Sequence, residues 1–152
     1  MTTTAQVDYI YKIVPAEPLV PVTDAGQLPP NHSLPASDLD QQSGFVHMST
    51  AAQIPNTLKY FFGASSSSRD SVFLLRVPYQ PLEERKHVRW ESPDAKICGP
   101  RYGEGMFPHI YDNLQFKLTH KEVDSVKEVV SEPGDDSWDT ALSELKRSGW
   151  LV

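Results

Sequence analysis

Prolines divide the chain into short segments and set the strongest limit on its fold. The 152-residue sequence contains 13 prolines, and six of them fall within residues 15–43. Proline lacks a backbone N–H and has a fixed φ angle, so it interrupts helices and central strands. We therefore expect a long connection with little regular structure over residues 15–43, and a second, rich in Pro and Gly, over 92–108. Loops of this length in a compact domain are usually functional or disordered.

Between these loops, short β-branched and aromatic runs predict strands, and two amphipathic segments predict helices. The predicted strands are residues 7–14, 44–48, 71–77, 88–91, 110–111, 116–118 and 123–130. The first predicted helix spans 50–62 with Ser49 or Thr50 as its N-cap, and the second spans 137–147 and ends at Gly149. This order of elements predicts an α+β fold rather than a doubly wound parallel sheet.

Composition and charge exclude several classes of protein. A chain of 152 residues fits a single domain. Its net charge of −6 argues against a protein whose main task is to bind nucleic acid, because phosphate contacts need a concentrated basic surface. A single cysteine, Cys98, excludes an intrachain disulfide.

The sequence also carries no signal for export or membrane insertion. Its first residues lack the basic region and apolar core of a signal peptide. No apolar run approaches the roughly 18 residues that a spanning helix needs. We therefore expect a cytoplasmic protein that has no membrane partner.

The segment GFVHMST (44–50) is the strongest candidate for a chemical role. In a strand, alternation places His47 on the same side as Phe45 and Ser49. A helix that begins at Ser49 or Thr50 would present free N–H groups and the positive end of its dipole beside His47, which suits an anionic ligand. The simpler interpretation is a structural histidine followed by two helix-capping residues.

Five segments in a fixed order carry a resemblance to a known family. They are IYKI (10–13), SGFVHMSTAAQIPNTLKYFF (43–62), VFLLRV (72–77), RWE (89–91) and MFPHIYDNL (106–114). Their order and spacing resemble the domain-of-unknown-function 952 family, small proteins of bacteria and fungi. The similarity spans about residues 8–130, which form the core of a single domain of residues 1–152, with a C-terminal helix at 137–148 as an extension.

The resemblance implies a fold and a ligand. The implied fold is that of the ADP-ribosyltransferases, with a split or strongly bent mixed sheet and few helices. The segments IYKI and VHMST are also similar to two strand motifs of the NAD-dependent RNA 2′-phosphotransferases. His47 and Ser49 stand in place in the second motif, whereas Lys12 stands where those enzymes have a histidine. NAD or an ADP-ribose-like nucleotide is the implied ligand, and glycosidic cleavage or ADP-ribosyl transfer is the implied reaction.

The same resemblance implies a set of site residues. Glu91 and His47 are the expected catalytic residues. A carboxylate near the ribose can orient the 2′-hydroxyl and offset the charge that develops as the nicotinamide bond breaks, and this is the role of Glu91. His47 is expected to hold a ribose hydroxyl or the diphosphate. The expected nucleotide-binding residues are His47 again, with Lys12, Ser49, Thr50, Arg89, His109 and Tyr111.

Several of these residues also have purely structural interpretations. Glu91 could be an exposed residue at a strand end, paired with Arg89 or Lys86. His109, which alternation places on one strand face with Tyr111, could be a hydrogen-bonded histidine near the core. Lys12 could reach solvent from the first strand.

Two alternative functions remain open from the residues alone. The first is a binding module that has lost the chemistry, an interpretation supported by Lys12 and by the expected absence of a second acidic residue near Glu91 in the site. The second is a metal-dependent hydrolase that uses His47, His109 and Glu91, the two-histidine, one-carboxylate set of many metal sites. The histidines lack the local spacing of metal ligands, so we assign no metal site.

Overall fold

The computed structural model describes residues 7–15, 21–34, 38–61, 71–92, 96, 106–111, 118–130 and 138–152. Its strands are β1 (Tyr9–Pro15), β2 (Ser33–Leu34), β3 (Val46–His47), β4 (Ser71–Pro78), β5 (His87–Glu91), β6 (Phe107–Tyr111), β7 (Leu118–Thr119) and β8 (Ser125–Val130). Its helices are α1 (Asp38–Ser43), a 3₁₀ turn (Ala51–Gln53), α2 (Ile54–Phe61), α3 (Tyr79–Arg85) and α4 (Asp139–Arg147). Short antiparallel strands and short helices confirm the predicted α+β class.

The strands form two three-stranded sheets and one two-stranded pair. The first sheet has the order β1-β4-β8, the second has the order β3-β6-β5, and β2 pairs with β7. All of these pairings are antiparallel. One isolated bridge between Tyr11 and Ser49 joins β1 to the chain just after β3, through N···O distances of 2.7 and 2.9 Å. We call this bridge the seam between the two sheets.

The first sheet is buried on both faces, which explains the continuous apolar run in β4. One face packs against the second sheet in a cluster that includes Ile10, Leu75, Val126, Val46, Met48, Trp90 and Ile110. The other face packs against α2 and α4 in a cluster that includes Tyr11, Leu74, Val129, Leu58, Trp138, Leu142 and Trp150. The first sheet is therefore the middle layer between the second sheet and the helices α2 and α4, and the C-terminal helix packs on the domain itself.

The structure corrects the prediction that residues 15–43 have little regular structure of their own. Their described part contains β2 and the helix α1, and α1 carries the buried Asp40. Helix α3 was also not predicted. It contains Pro81 at its third residue, within the first turn, where the missing N–H has no partner in the helix.

Some sequence predictions fall outside the described residues. Most of the predicted loop at 92–108, including Cys98, and the first two residues of the predicted strand at 116–118 belong to this group. In the part of the chain that the structure describes, no helix is long and apolar enough to cross a membrane.

Candidate functional site

The second sheet has one apolar and one polar face. Val46, Trp90 and Ile110 point into the core. Because side chains alternate along a strand, their neighbours point the opposite way. The register places His47 beside His109, and His109 beside Arg89. We call the surface formed by His47, Arg89, Glu91, His109 and Tyr111 the polar face.

Glu91 lies at the base of the polar face and is held by two side chains. Its Oε1 accepts a hydrogen bond from the Tyr111 hydroxyl at 2.5 Å and lies 3.0 Å from Nδ1 of His109. Glu91 is 2% exposed and His109 is 1% exposed. The interpretation of Glu91 as an exposed strand-end residue is therefore wrong, because its carboxylate is buried and bonded to the next strand.

Burial also sets the protonation state of His109. Removal from water lowers the pKa of the His109 imidazole, although its hydrogen bond to Glu91 acts in the opposite direction. His109 is therefore a neutral donor to Glu91 at pH 7. The negative charge of the carboxylate is held in place by this hydrogen bond without being cancelled by an imidazolium.

A second buried carboxylate, Asp40, lies at the other end of the polar face. Helix α1 brings it beside Lys12 of β1, whose Nζ lies 3.1 and 2.9 Å from the two carboxylate oxygens. Asp40 Oδ1 also accepts the backbone N–H of His47 at 3.0 Å and lies 2.7 Å from the His47 Nδ1. Burial raises the pKa of Asp40, but the hydrogen bonds from His47 and the charge of Lys12 outweigh it and hold this pKa well below its ordinary value.

The Lys12 ammonium contacts Asp40 and the backbone of His47 and is occupied by these contacts. Besides both carboxylate oxygens, its ammonium reaches the His47 carbonyl oxygen at 3.1 Å. An ammonium has three N–H groups, and these three contacts occupy them. Lys12 therefore fastens α1, β1 and β3 together, and its side chain is only 12% exposed.

Phe45 connects the two carboxylate clusters. Its ring stacks on His109 at a centroid distance of 4.1 Å and an interplanar angle of 20°. The same ring lies 4.5 Å from His47 and 5.1 Å from Tyr111. Because Phe45 is itself buried, it fixes the relative positions of the three polar rings.

Access to the polar face is uneven. The His47 side chain keeps 24% of its surface exposed, whereas that of His109 keeps 1%. Arg89 is exposed, with its guanidinium 5.1 Å from the centre of the Tyr111 ring and its Nε 3.2 Å from the Nε2 of His87. A ligand from solvent would meet His47, Tyr111 and Arg89 first.

Ser49 and Thr50 have structural tasks. Ser49 is buried and its backbone forms the seam with Tyr11. Thr50 is the N-cap of the 3₁₀ turn, as predicted, and its N–H donates to the Gln53 Oε1 at 3.0 Å. The Thr50 carbonyl oxygen in turn accepts the Gln53 N–H at 3.0 Å, so these two residues close the start of the turn.

Sequence reasoning missed Asp40 and gave no role to Phe45. Alternation could have found Phe45, since it shares a side with His47. No local signal marks Asp40, because it lies in a proline-rich region and only the fold brings it to Lys12 and His47. The structure brings a second acidic residue to the polar face, at the end away from Glu91: Asp40 binds His47, whose ring centre lies 5.3 Å from that of His109.

The alternative two-histidine, one-carboxylate metal centre is not formed by the described side chains of His47, His109 and Glu91. Among the described residues, no group of three His, Cys, Asp or Glu side chains is placed to hold a metal ion. His47 Nδ1 faces Asp40 and His109 Nδ1 faces Glu91, so each histidine is directed at its own carboxylate.

Comparison with known families decides the classification. A family model described as a protein of unknown function, DUF952, matches residues 19–126. This chain belongs to the DUF952 family. The matched segment contains Asp40, His47, Glu91, His109 and Tyr111, so these parts of the site lie within the DUF952 region, while Lys12 precedes it. The resemblance to this family is thereby confirmed.

Two solved structures share the fold of this DUF952 chain. The crystal structure of protein CC0527 from Caulobacter crescentus is 24% identical, with a TM-score of 0.54, and the match covers 84% of this chain and 90% of that chain. Its solution NMR structure is 23% identical, with a TM-score of 0.51, and covers 84% and 89% of the two chains. No curated protein matches the chain.

Proposed function

We propose that the polar face binds NAD or an ADP-ribose-like nucleotide and breaks or transfers its N-glycosidic bond. The observation that carries this proposal is the buried Glu91 carboxylate, anchored by His109 and Tyr111 on the same face as the partly exposed His47. The similarity of the VHMST segment to the NAD-dependent RNA 2′-phosphotransferases supports the choice of nucleotide.

Cleavage of the N-glycosidic bond creates a charge that the polar face must stabilise. Loss of nicotinamide leaves positive charge on the ribose ring, in an oxocarbenium-like state. A fixed carboxylate in a site shielded from water stabilises such charge more strongly than a solvated one, because the local dielectric constant is low and no reorientation is needed. Tyr111 and His109 fix Glu91 in this way, and neutral His109 leaves its negative charge in effect.

Recognition of the remainder of the nucleotide is assigned to the exposed part of the polar face. The Arg89 guanidinium can bind phosphate oxygens in a bidentate manner. The rings of His47 and Tyr111 can pack against a sugar or a base. Lys12 contributes through Asp40, since its ammonium is occupied within the protein.

The first test is incubation of the pure protein with NAD, with nicotinamide release measured by chromatography and the melting temperature followed in parallel. We expect release by the wild type and a loss of about 10²- to 10³-fold in Glu91→Gln, as for removal of one fixed transition-state contact. Glu128→Gln is the matched control, because Glu128 is an exposed carboxylate on β8 of the other sheet. Undiminished release by Glu91→Gln, or neither release nor a melting shift in the wild type, would contradict the proposal.

A non-catalytic binding module is the second candidate, and one observation favours it. The Glu91 Oε1 already accepts two hydrogen bonds inside the protein, which is also how a structural carboxylate is held. In that case NAD raises the melting temperature by mass action without nicotinamide release. His47→Ala then weakens binding and Glu91→Gln leaves it nearly unchanged, whereas in an enzyme both variants lose turnover.

A further inference from the structure

Two histidines on the polar face each point Nδ1 at a buried carboxylate, but they differ in access to solvent. The His109 side chain is 1% exposed and the His47 side chain is 24% exposed. Of these two carboxylate-bound histidines, His47 is therefore the one that a substrate can reach.

The surroundings of Asp40 determine which nitrogen of His47 carries the proton. Both carboxylate oxygens receive N–H groups from the Lys12 ammonium, and Oδ1 also receives the His47 backbone N–H. An ionised carboxylate only accepts hydrogen bonds, so the His47 Nδ1 at 2.7 Å must donate to it. In the neutral imidazole the lone pair is then on Nε2, on the opposite side of the ring.

The same contacts fix the direction of that lone pair. Asp40 cannot rotate without losing its contacts with Lys12 and with the backbone of His47. The His47 ring is further held by Phe45, at a centroid distance of 4.5 Å. The Nε2 lone pair therefore points away from the buried carboxylate, towards the exposed part of the polar face.

We propose that the His47 Nε2 accepts the proton of the attacking hydroxyl group, from water or an alcohol, and that Asp40 is the residue that positions it. This inference rests on the proposed function. The nucleophile oxygen forms a bond to C1′ of the ribose while the bond from C1′ to the nicotinamide nitrogen breaks. The bonding electron pair leaves on that nitrogen, and the hydroxyl proton moves to Nε2 and later to solvent. Glu91 and His47 thus have separate tasks: the buried carboxylate stabilises the charge on the ribose through its electric field, and His47 accepts the proton of the nucleophile.

The tautomer of His47 is the direct test, and it is measured on the free protein. Long-range ¹H–¹⁵N correlation spectra distinguish the two neutral forms for each of the five histidines. We expect the Nδ1–H form at His47. In the double variant Lys12→Met/Asp40→Asn we expect this preference to be lost, because an asparagine amide can also donate. The double change removes the charge together with its counter-charge, so no lone charge stays buried.

Turnover provides the second readout. Nicotinamide release by the double variant should fall about 10²- to 10⁴-fold, the usual contribution of one general base, while NAD still raises the melting temperature. His120→Asn, which alters an exposed histidine in the turn after β7, should change neither readout. His47→Asn is a second variant, because its amide can still donate to Asp40 but places no atom at Nε2. It should lose turnover as well.

The outcomes separate this inference from the proposed function. An Nε2–H form of His47 in the wild type, or full nicotinamide release by His47→Asn, would overturn the role of His47 and leave NAD cleavage standing. An Nδ1–H form in a protein that cleaves no NAD would overturn the proposed reaction, and this proton-transfer step with it.

Discussion

Asp40 is a buried charge whose partners belong to two different strands. Lys12 and His47 both bind it, from 28 residues before and seven residues after it in the sequence. A buried ion pair of this kind contributes little net stability over apolar residues of the same shape, but removal of one partner leaves an uncompensated charge. The effects of mutating the two partners on the free energy of unfolding are therefore expected not to add.

We expect this non-additivity in a double-mutant cycle on Lys12 and Asp40. Lys12→Met alone should lower the free energy of unfolding by about 3–5 kcal/mol, because Asp40 loses its counter-charge in the interior. Lys12→Met/Asp40→Asn should cost less than the sum of the two single changes, by about 1–3 kcal/mol. Urea denaturation measures all three values. Lys12→Met combined with Glu128→Gln, on the distant edge strand, should be additive, and strict additivity of the Lys12 and Asp40 changes would argue against a buried pair.

At the residue scale, alternation and the family resemblance together predicted most of the polar face. They placed His109 and Tyr111 on one side of a strand and Glu91 at the end of another, and the structure pairs these two strands. They failed for Asp40, because hydrogen bonds between distant segments leave no periodic trace in a sequence. The burial of Glu91 was missed for a similar reason, since its position at a strand end suggests exposure until the neighbouring strand is in place.

At the scale of elements, strand β1 has several connections beyond its own sheet. It pairs with β4, forms the seam through Tyr11, and supplies Lys12 to the site. The Tyr11 hydroxyl also accepts the Val152 N–H at 3.0 Å and lies 3.2 Å from the carbonyl oxygens of Trp150 and Val152. The last residues of the chain are therefore tied to the strand that carries part of the site.

We expect Tyr11→Phe to lower the free energy of unfolding by about 1–3 kcal/mol, because the backbone N–H of Val152 loses its partner, whereas the Trp150 carbonyl oxygen keeps the Arg76 guanidinium at 3.1 Å. The amide of Val152 should exchange with solvent faster, as measured by hydrogen exchange. Tyr9→Phe on the same strand is the control. Its ring packs against the Arg76 guanidinium, 4.4 Å away, and phenylalanine keeps that contact. Equal effects of the two changes would show that ring packing, not the hydroxyl, holds the C-terminal residues.

The elements that were predicted differ physically from those that were missed. β4 and β8 have apolar or alternating β-branched patterns that reflect their burial, so the sequence identifies them. Helices α1 and α3 have six and seven residues and lack an extended apolar stripe. Helices this short are stabilised by tertiary contacts rather than by their own propensity, and such contacts are invisible in a window of sequence.

For the whole molecule, the layers of the fold bury titratable groups of the polar face. The free energy of unfolding therefore depends on pH. His109 has a lowered pKa in the folded protein, so below about pH 6.5 the unfolded chain binds a proton more readily than the folded chain. Stability therefore falls as the pH falls from 7 to 5. Asp40 contributes in a separate pH range. Because its pKa is lowered in the folded protein, Asp40 reduces the free energy of unfolding only when the pH falls below its ordinary pKa of 3.8.

We expect the free energy of unfolding to change less steeply with pH in His109→Asn than in the wild type, between pH 7 and 5. The slope from one such histidine is at most about 1.4 kcal/mol per pH unit, and the asparagine amide can still donate to Glu91 without titrating. Urea denaturation at several pH values checks this, with His120→Asn as the exposed control. A slope that is the same in His109→Asn as in the wild type would show that other groups cause it.

The seam between the sheets has a consequence for how this chain can change over generations. Tyr11 and Ser49 supply its backbone bridge, and Lys12 crosses it to the His47 carbonyl. The groups proposed for chemistry thus also stabilise the fold. A mutation that removes one of them is therefore expected to reduce stability, whether or not the protein is active. We therefore expect evolution to keep or replace three residues together, namely Lys12, Asp40 and His47. A descendant that has lost the reaction should still contain all three until compensating substitutions make them unnecessary for stability.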